Sequence, residues 1–152
     1  MSYSTAEARQ QLLDAIAVAI DELAEALASL GVAYEQLDDA HADELEEQLF
    51  RGVQRAYGRA MRTYTQFAER HALTAREFTT PSARAPSTGV KALIEGAVDA
   101  VARADGELVA LQDSLMPIEV GDAELRAGLR EVRELVAGLG RRARAFVRTF
   151  GR

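Results

Sequence analysis

Cysteine is absent from the 152 residues. Disulfides, thiolate metal sites and cysteine nucleophiles are thereby excluded. Proline occurs three times and histidine twice, so helix breakers are scarce and imidazole chemistry is confined to His41 and His71. No run approaches the roughly 18 consecutive apolar residues of a membrane-spanning helix. The opening MSYSTAEARQQLLDAIAVAI has no basic patch ahead of its apolar stretch, and acids interrupt that stretch, so it does not read as a signal peptide. A cytoplasmic protein is the expectation. Lysine is nearly missing as well: Lys91 stands alone against seventeen arginines, a bias that GC-rich coding also produces.

What remains favours helix. Alanine is abundant, 48% of residues are apolar and 28% are charged, the balance of a soluble chain with one buried core. Four segments carry apolar residues at a spacing of three and four. The first opens with Ser4-x-x-Glu7, a capping box, and runs through Leu13, Ile16, Ile20 and Leu23 to Leu30; Gly31 followed by Val32 reads as its stop. The second repeats from Phe50 through Val53, Tyr57, Ala60, Tyr64 and Phe67 to His71. Ahead of Phe50, Leu45 and Leu49 sit one position out of phase, so this seam is locally irregular. Residues 79–88, TTPSARAPST, deny helix through two prolines and a cluster of Ser and Thr. A third pattern starts at Ser87 or Thr88 and reaches Leu115. MPIEVGD (116–122) interrupts it, and Asp122 can cap the fourth, Leu125 to Phe150.

The pattern predicts an all-α single domain with helices over about residues 5–30, 39–72, 88–115 and 122–150 and a linker at 79–87. Four long helices with narrow seams are expected to pack as an antiparallel up-down-up-down four-helix bundle, crossing at about 20°.

Chemistry is harder to find. LDDAHADELEEQ (37–48) surrounds His41 with Asp38, Asp39, Asp43, Glu44, Glu46 and Glu47. Asp38 or Asp39 as N-cap and acids in the first turns complement the helix dipole without any ligand. Asp38, His41 and Glu44, at i, i+3 and i+6, also share a helix face and are the candidate metal ligands. A buried di-metal core would need inward carboxylates from several helices, and Glu22, Glu25, Glu131 and Glu134 all point outward on the seams above. No metal and no cofactor are expected. A Mg²⁺-dependent phosphohydrolase would need Glu44-x-x-Glu47 near Glu95 and Asp99, which the expected packing separates by about 30 Å. His71, at the end of its seam, is expected to compensate helix carbonyls rather than carry phosphate. AGLGRR lacks the Gly-Lys-Ser/Thr of a phosphate loop. Tyr57, Tyr64 and His71 are the candidates for a small-ligand pocket.

Charge is the strongest pattern. Residues 1–50 hold twelve acids and one base, residues 51–90 two and seven, residues 91–122 seven and two, residues 123–152 three and eight. In the expected topology Arg62, Arg70, Arg141, Arg142, Arg144 and Arg148 would gather at one end of the bundle with Arg76 and Arg84. Asp38, Asp39, Asp43, Glu44, Asp113, Glu119 and Asp122 would gather at the other. Arg141, Arg144, Arg148 and Arg152 form an outward stripe suited to an acidic protein partner. The overall acidity and the lack of interleaved surface aromatics argue against nucleic acid. GRRARAFVRTFGR is not expected at a membrane, since its phenylalanines belong to the seam. Val18, Val98, Ala102 and Val109 add apolar surface beside the seams and predict a homodimer. The expected function is that of a non-enzymatic helical bundle acting through protein–protein contacts and self-association. The alternative is a ligand- or metal-binding bundle with a pocket at Tyr57 and Tyr64 or a surface metal at His41.

Overall fold

The computed structural model describes residues 4–79 and 89–150, the last as backbone only. Those residues are all-helical, with no strand among them. The elements are α1 (Thr5–Gln36), α2 (Asp39–Leu45), a π-helical turn (Glu46–Phe50), α3 (Arg51–Arg70), α4 (Val90–Asp113), the single turn α5 (Met116–Glu119) and α6 (Ala123–Phe150). The expected linker at 79–87 lies, apart from Thr79, outside the described residues, as do Arg84, Ser87, Thr88 and Arg152.

Local chemistry explains the ends. Ser4 Oγ accepts from the Glu7 N–H at 3.1 Å and starts α1. Asp122 Oδ1 accepts from the Leu125 N–H at 2.7 Å and starts α6. The expected stop at Gly31 is a correction: α1 continues for five more residues to Gln36. Burial of Leu30 and Ala33 against the core outweighs the glycine's helix cost of about 1 kcal/mol. The second segment begins at Asp39 as expected and passes through α2 and the π turn into α3 without a break. The π turn is the physical form of the phase slip. Its wider winding brings Leu45, Leu49 and Val53 to the core, all three at most 1% exposed, while Phe50 and Tyr57 are only half-buried.

α3 closes at His71 with a Schellman arrangement: Leu73 N–H donates to Ala68 O at 2.9 Å and Ala72 N–H to Glu69 O at 3.4 Å. The left-handed position is held by Ala72, with φ 53°. A side chain there costs about 1 kcal/mol relative to glycine. Ala72→Gly is therefore expected to raise the unfolding free energy by about 0.5–1 kcal/mol in urea titration; a loss of stability would show that the turn is not under strain.

Packing sets the neighbours. α1 packs on α3 and α4, and α6 packs on the same two helices. Buried alanines (Ala19, Ala26 and Ala33 on α1, Ala97, Ala100 and Ala104 on α4) let the α1 and α4 axes come close. Arg103 of α4 reaches Glu22 of α1, Arg59 of α3 reaches Glu131 of α6, and Arg133 of α6 reaches Asp105 of α4.

The expected hairpin between the second and third long helices is overturned by these contacts. Arg70, at the end of α3, binds Asp122 at the start of α6, and Gln10 near the start of α1 bonds Thr74 just beyond α3. α4 begins instead beside Glu25 and Ser29 of α1, far from that end. α3 and α4 thus run the same way, and each is antiparallel to both α1 and α6.

Candidate functional site

The charge map changes with the topology. The Arg-rich end of α6 does not join Arg70. It lies beside the start of the second segment, where Arg142 and Leu139 approach Gly52, so it shares an end with the acids of α2. The expected charge separation along the molecule is therefore a second correction. Arg70 finds its own acids, Asp122 and Glu124, at the opposite end.

That end carries the densest polar constellation. Arg70 grips Asp122 as a fork, Nε to Oδ2 and Nη2 to Oδ1, both at 2.8 Å. His71 Nε2 lies 2.9 Å from Asp122 Oδ2, and its ring meets Phe67 edge-on at 4.7 Å between centroids. Partial burial pushes the Asp122 carboxyl up, but the Arg70 fork, the Leu125 N–H and His71 outweigh it and hold that carboxyl well below the ordinary carboxylate range. His71 was expected to compensate helix carbonyls; the side chain instead faces a carboxylate from a helix that sequence order did not place there. All of Asp122's oxygens are engaged within the fold, which makes this a latch between α3 and α6 rather than a reactive centre.

The other candidates sit apart. Asp38 Oδ1 and His41 Nδ1 are 2.5 Å apart on the exposed start of α2, and that hydrogen bond holds the Asp38 carboxyl below its ordinary value. Glu44 is exposed one turn further on. Among the described residues no three His, Asp or Glu side chains gather as they would around a metal ion, and Asp38, His41 and Glu44 are not such a group. Tyr64 is buried; its hydroxyl accepts from the Arg76 N–H at 2.9 Å and its ring meets Phe78 edge-on. Tyr57 is half-buried, and its hydroxyl is pushed up by that burial and then by Asp21. Of the three residues expected to line a pocket, Tyr64 and His71 are already engaged by protein groups, the Arg76 N–H and Asp122.

Arg141, Arg144 and Arg148 are exposed on α6, and among the described residues no carboxylate lies within ion-pair distance of them. By contrast Arg59, Arg70, Arg76, Arg103 and Arg133 each meet an acid. Between α4 and α6, on the Arg144 side, runs a groove of about 190 Å³. Sequence reading missed it. The signal was present in the small residues Ala102, Ala137 and Gly140, whose short side chains leave the space open. Leu49, turned inward by the π turn, forms part of its floor.

No helix among the described residues is long and apolar enough to cross a membrane. No protein-family model, curated protein or solved structure matches the chain.

Proposed function

We propose that the chain is a single-domain four-helix bundle with a non-enzymatic role, acting through protein–protein contacts and self-association, at least to a homodimer. In this bundle each neighbouring pair of helices is antiparallel, while the second and third long helices lie on a diagonal. The contacts of α1 and α6, each with both α3 and α4, support that arrangement. The observation that carries the functional reading is the row Arg141, Arg144 and Arg148. Its guanidinium groups stand in solvent without acid partners among the described residues, three on one face of α6 beside the α4–α6 groove. Unpaired guanidinium groups at i, i+3 and i+7 present forked donors to the carboxylates of a partner.

The test is retention on an anionic matrix such as heparin. Wild-type protein is expected to bind at low salt and elute progressively as salt rises, and Arg144→Gln with Arg148→Gln is expected to elute much earlier. The thermal midpoint should hardly move, since surface changes of this kind stay within about 0.5 kcal/mol. Equal retention of both proteins would leave the row as an ordinary solvated face.

A further inference from the structure

The reading above, that the chain self-associates, gains a specific surface from two features on different faces of the molecule. The first is the α4–α6 groove. Its floor is the buried Leu49, Val101, Val136 and Leu139, and its walls are the short Ala102 and Ala137. Asp105 also lines it, but Arg133 Nε sits 3.1 Å from that carboxylate and counters its charge. Lys91 and Glu95, exposed on α4 towards the same end, cancel formally. Arg144 on the rim, with Arg141 and Arg148 a turn to either side, outnumbers Glu134, exposed one turn before Ala137, and leaves the groove with a surplus of positive charge.

The second feature is the outer ridge of α1. Val18 is 48% exposed, the one large apolar side chain of α1 that stands in solvent among the described residues. Asp14, Asp21, Glu22 and Glu25 surround it at i−4, i+3, i+4 and i+7. Among the described residues Asp14, Asp21, Glu22 and Asp99 stand against Arg76 and Arg103, so the formal charge around Val18 is negative.

We propose that the α1 ridge of one copy docks into the α4–α6 groove of a second copy. Val18 enters between Ala102 and Ala137, and the acids around it meet Arg141, Arg144 and Arg148. An apolar knob ringed by acids matches an apolar slot rimmed by guanidinium groups in both shape and sign. The other exposed apolar point, Leu115 and Ile118 at the α4–α6 turn, is a poorer occupant, because Arg126 and Arg130 beside Ile118 bear the same sign as the groove. Ridge and groove are different surfaces, so the contact is heterologous. Each copy keeps one free ridge or groove, and assembly grows with concentration instead of closing as a symmetric dimer.

Sedimentation velocity of the full chain at low salt, over rising concentration, tests this. The wild type is expected to rise above its 16.5 kDa monomer mass at about 100 µM, in keeping with a small contact. Val18→Gln and Ala137→Gln, both at exposed positions, are each expected to remain monomeric there. Their equimolar mixture is expected to form a species of twice the monomer mass and nothing longer, because only one ridge and one groove remain competent. Circular dichroism checks folding, and Arg144→Glu replaces Ala137→Gln if the latter is unstable. A wild-type protein that stays monomeric overturns both this contact and self-association. Variants that associate like the wild type, or a mixture that forms no dimer, overturn this contact while leaving self-association standing.

Discussion

Asp122→Ala is expected to cost about 3 kcal/mol of unfolding free energy at neutral pH, measured by urea titration. The N-cap of α6 accounts for about 1–2 kcal/mol of that loss. The remainder comes from the half-buried Arg70 fork and from His71, each left facing a gap; charge-assisted bonds of this kind contribute about 1 kcal/mol or more. Glu124 still reaches Arg70 Nη1 at 3.0 Å and limits the damage. The effect has a pH signature. The Asp122 carboxyl titrates well below its ordinary value of 3.8 in the folded chain, so the unfolded chain takes up the proton first. The latch therefore contributes fully above about pH 5 and loses its contribution as pH falls through 3.8 towards strongly acid solution. Asp122→Asn keeps a capping oxygen but not the charge. Between about pH 5 and 2 it should lose less stability than wild type; parallel profiles would show that the latch is not electrostatic.

Gly128→Ala is expected to be comparably damaging, by about 2–3 kcal/mol. An added Cβ would stand 2.3 Å from Thr63 Oγ1 and 2.9 Å from its Cγ2. Thr63 cannot swing aside: it is buried, its hydroxyl donates to Arg59 O and accepts from Arg59 Nη1, both at 2.9 Å, and β-branching restricts χ1. α3 and α6 would have to move apart where Arg59 also binds Glu131. Thr63→Ala removes the colliding atoms, so the double variant should recover most of what Gly128→Ala loses. Additive losses in that double-mutant cycle would place the strain elsewhere.

Much of the helical framework was legible because helix signals are local. Ser4 and Asp122 announce their caps, and the three-and-four spacing marks each buried face. The slip at Leu45 and Leu49 marks the π turn. Gly31 misled because a glycine stops a helix only when burial beyond it is weak, and Ala33 is fully buried. Asp38 stands at the N-cap position of α2, but its side chain bonds His41 instead of a backbone N–H; the groove was not legible either, since an alanine or glycine on an outer position reads the same whether a neighbour covers it or not.

Composition and periodicity by themselves determined that this chain is helical, where its long segments lie and which face of each is apolar. They did not determine which segment meets which. A seam of Leu, Val and Ala carries no address, and the nineteen residues from 71 to 89 can extend about 60 Å, well beyond the roughly 36 Å length of the 24-residue α4. Loop-closure entropy varies slowly with length, so a hairpin and a diagonal crossing differ little in chain cost. Tertiary packing chose the crossing. That choice separated Arg70 from the arginines of α6, delivered His71 to Asp122, and left Arg141, Arg144 and Arg148 beside an open groove.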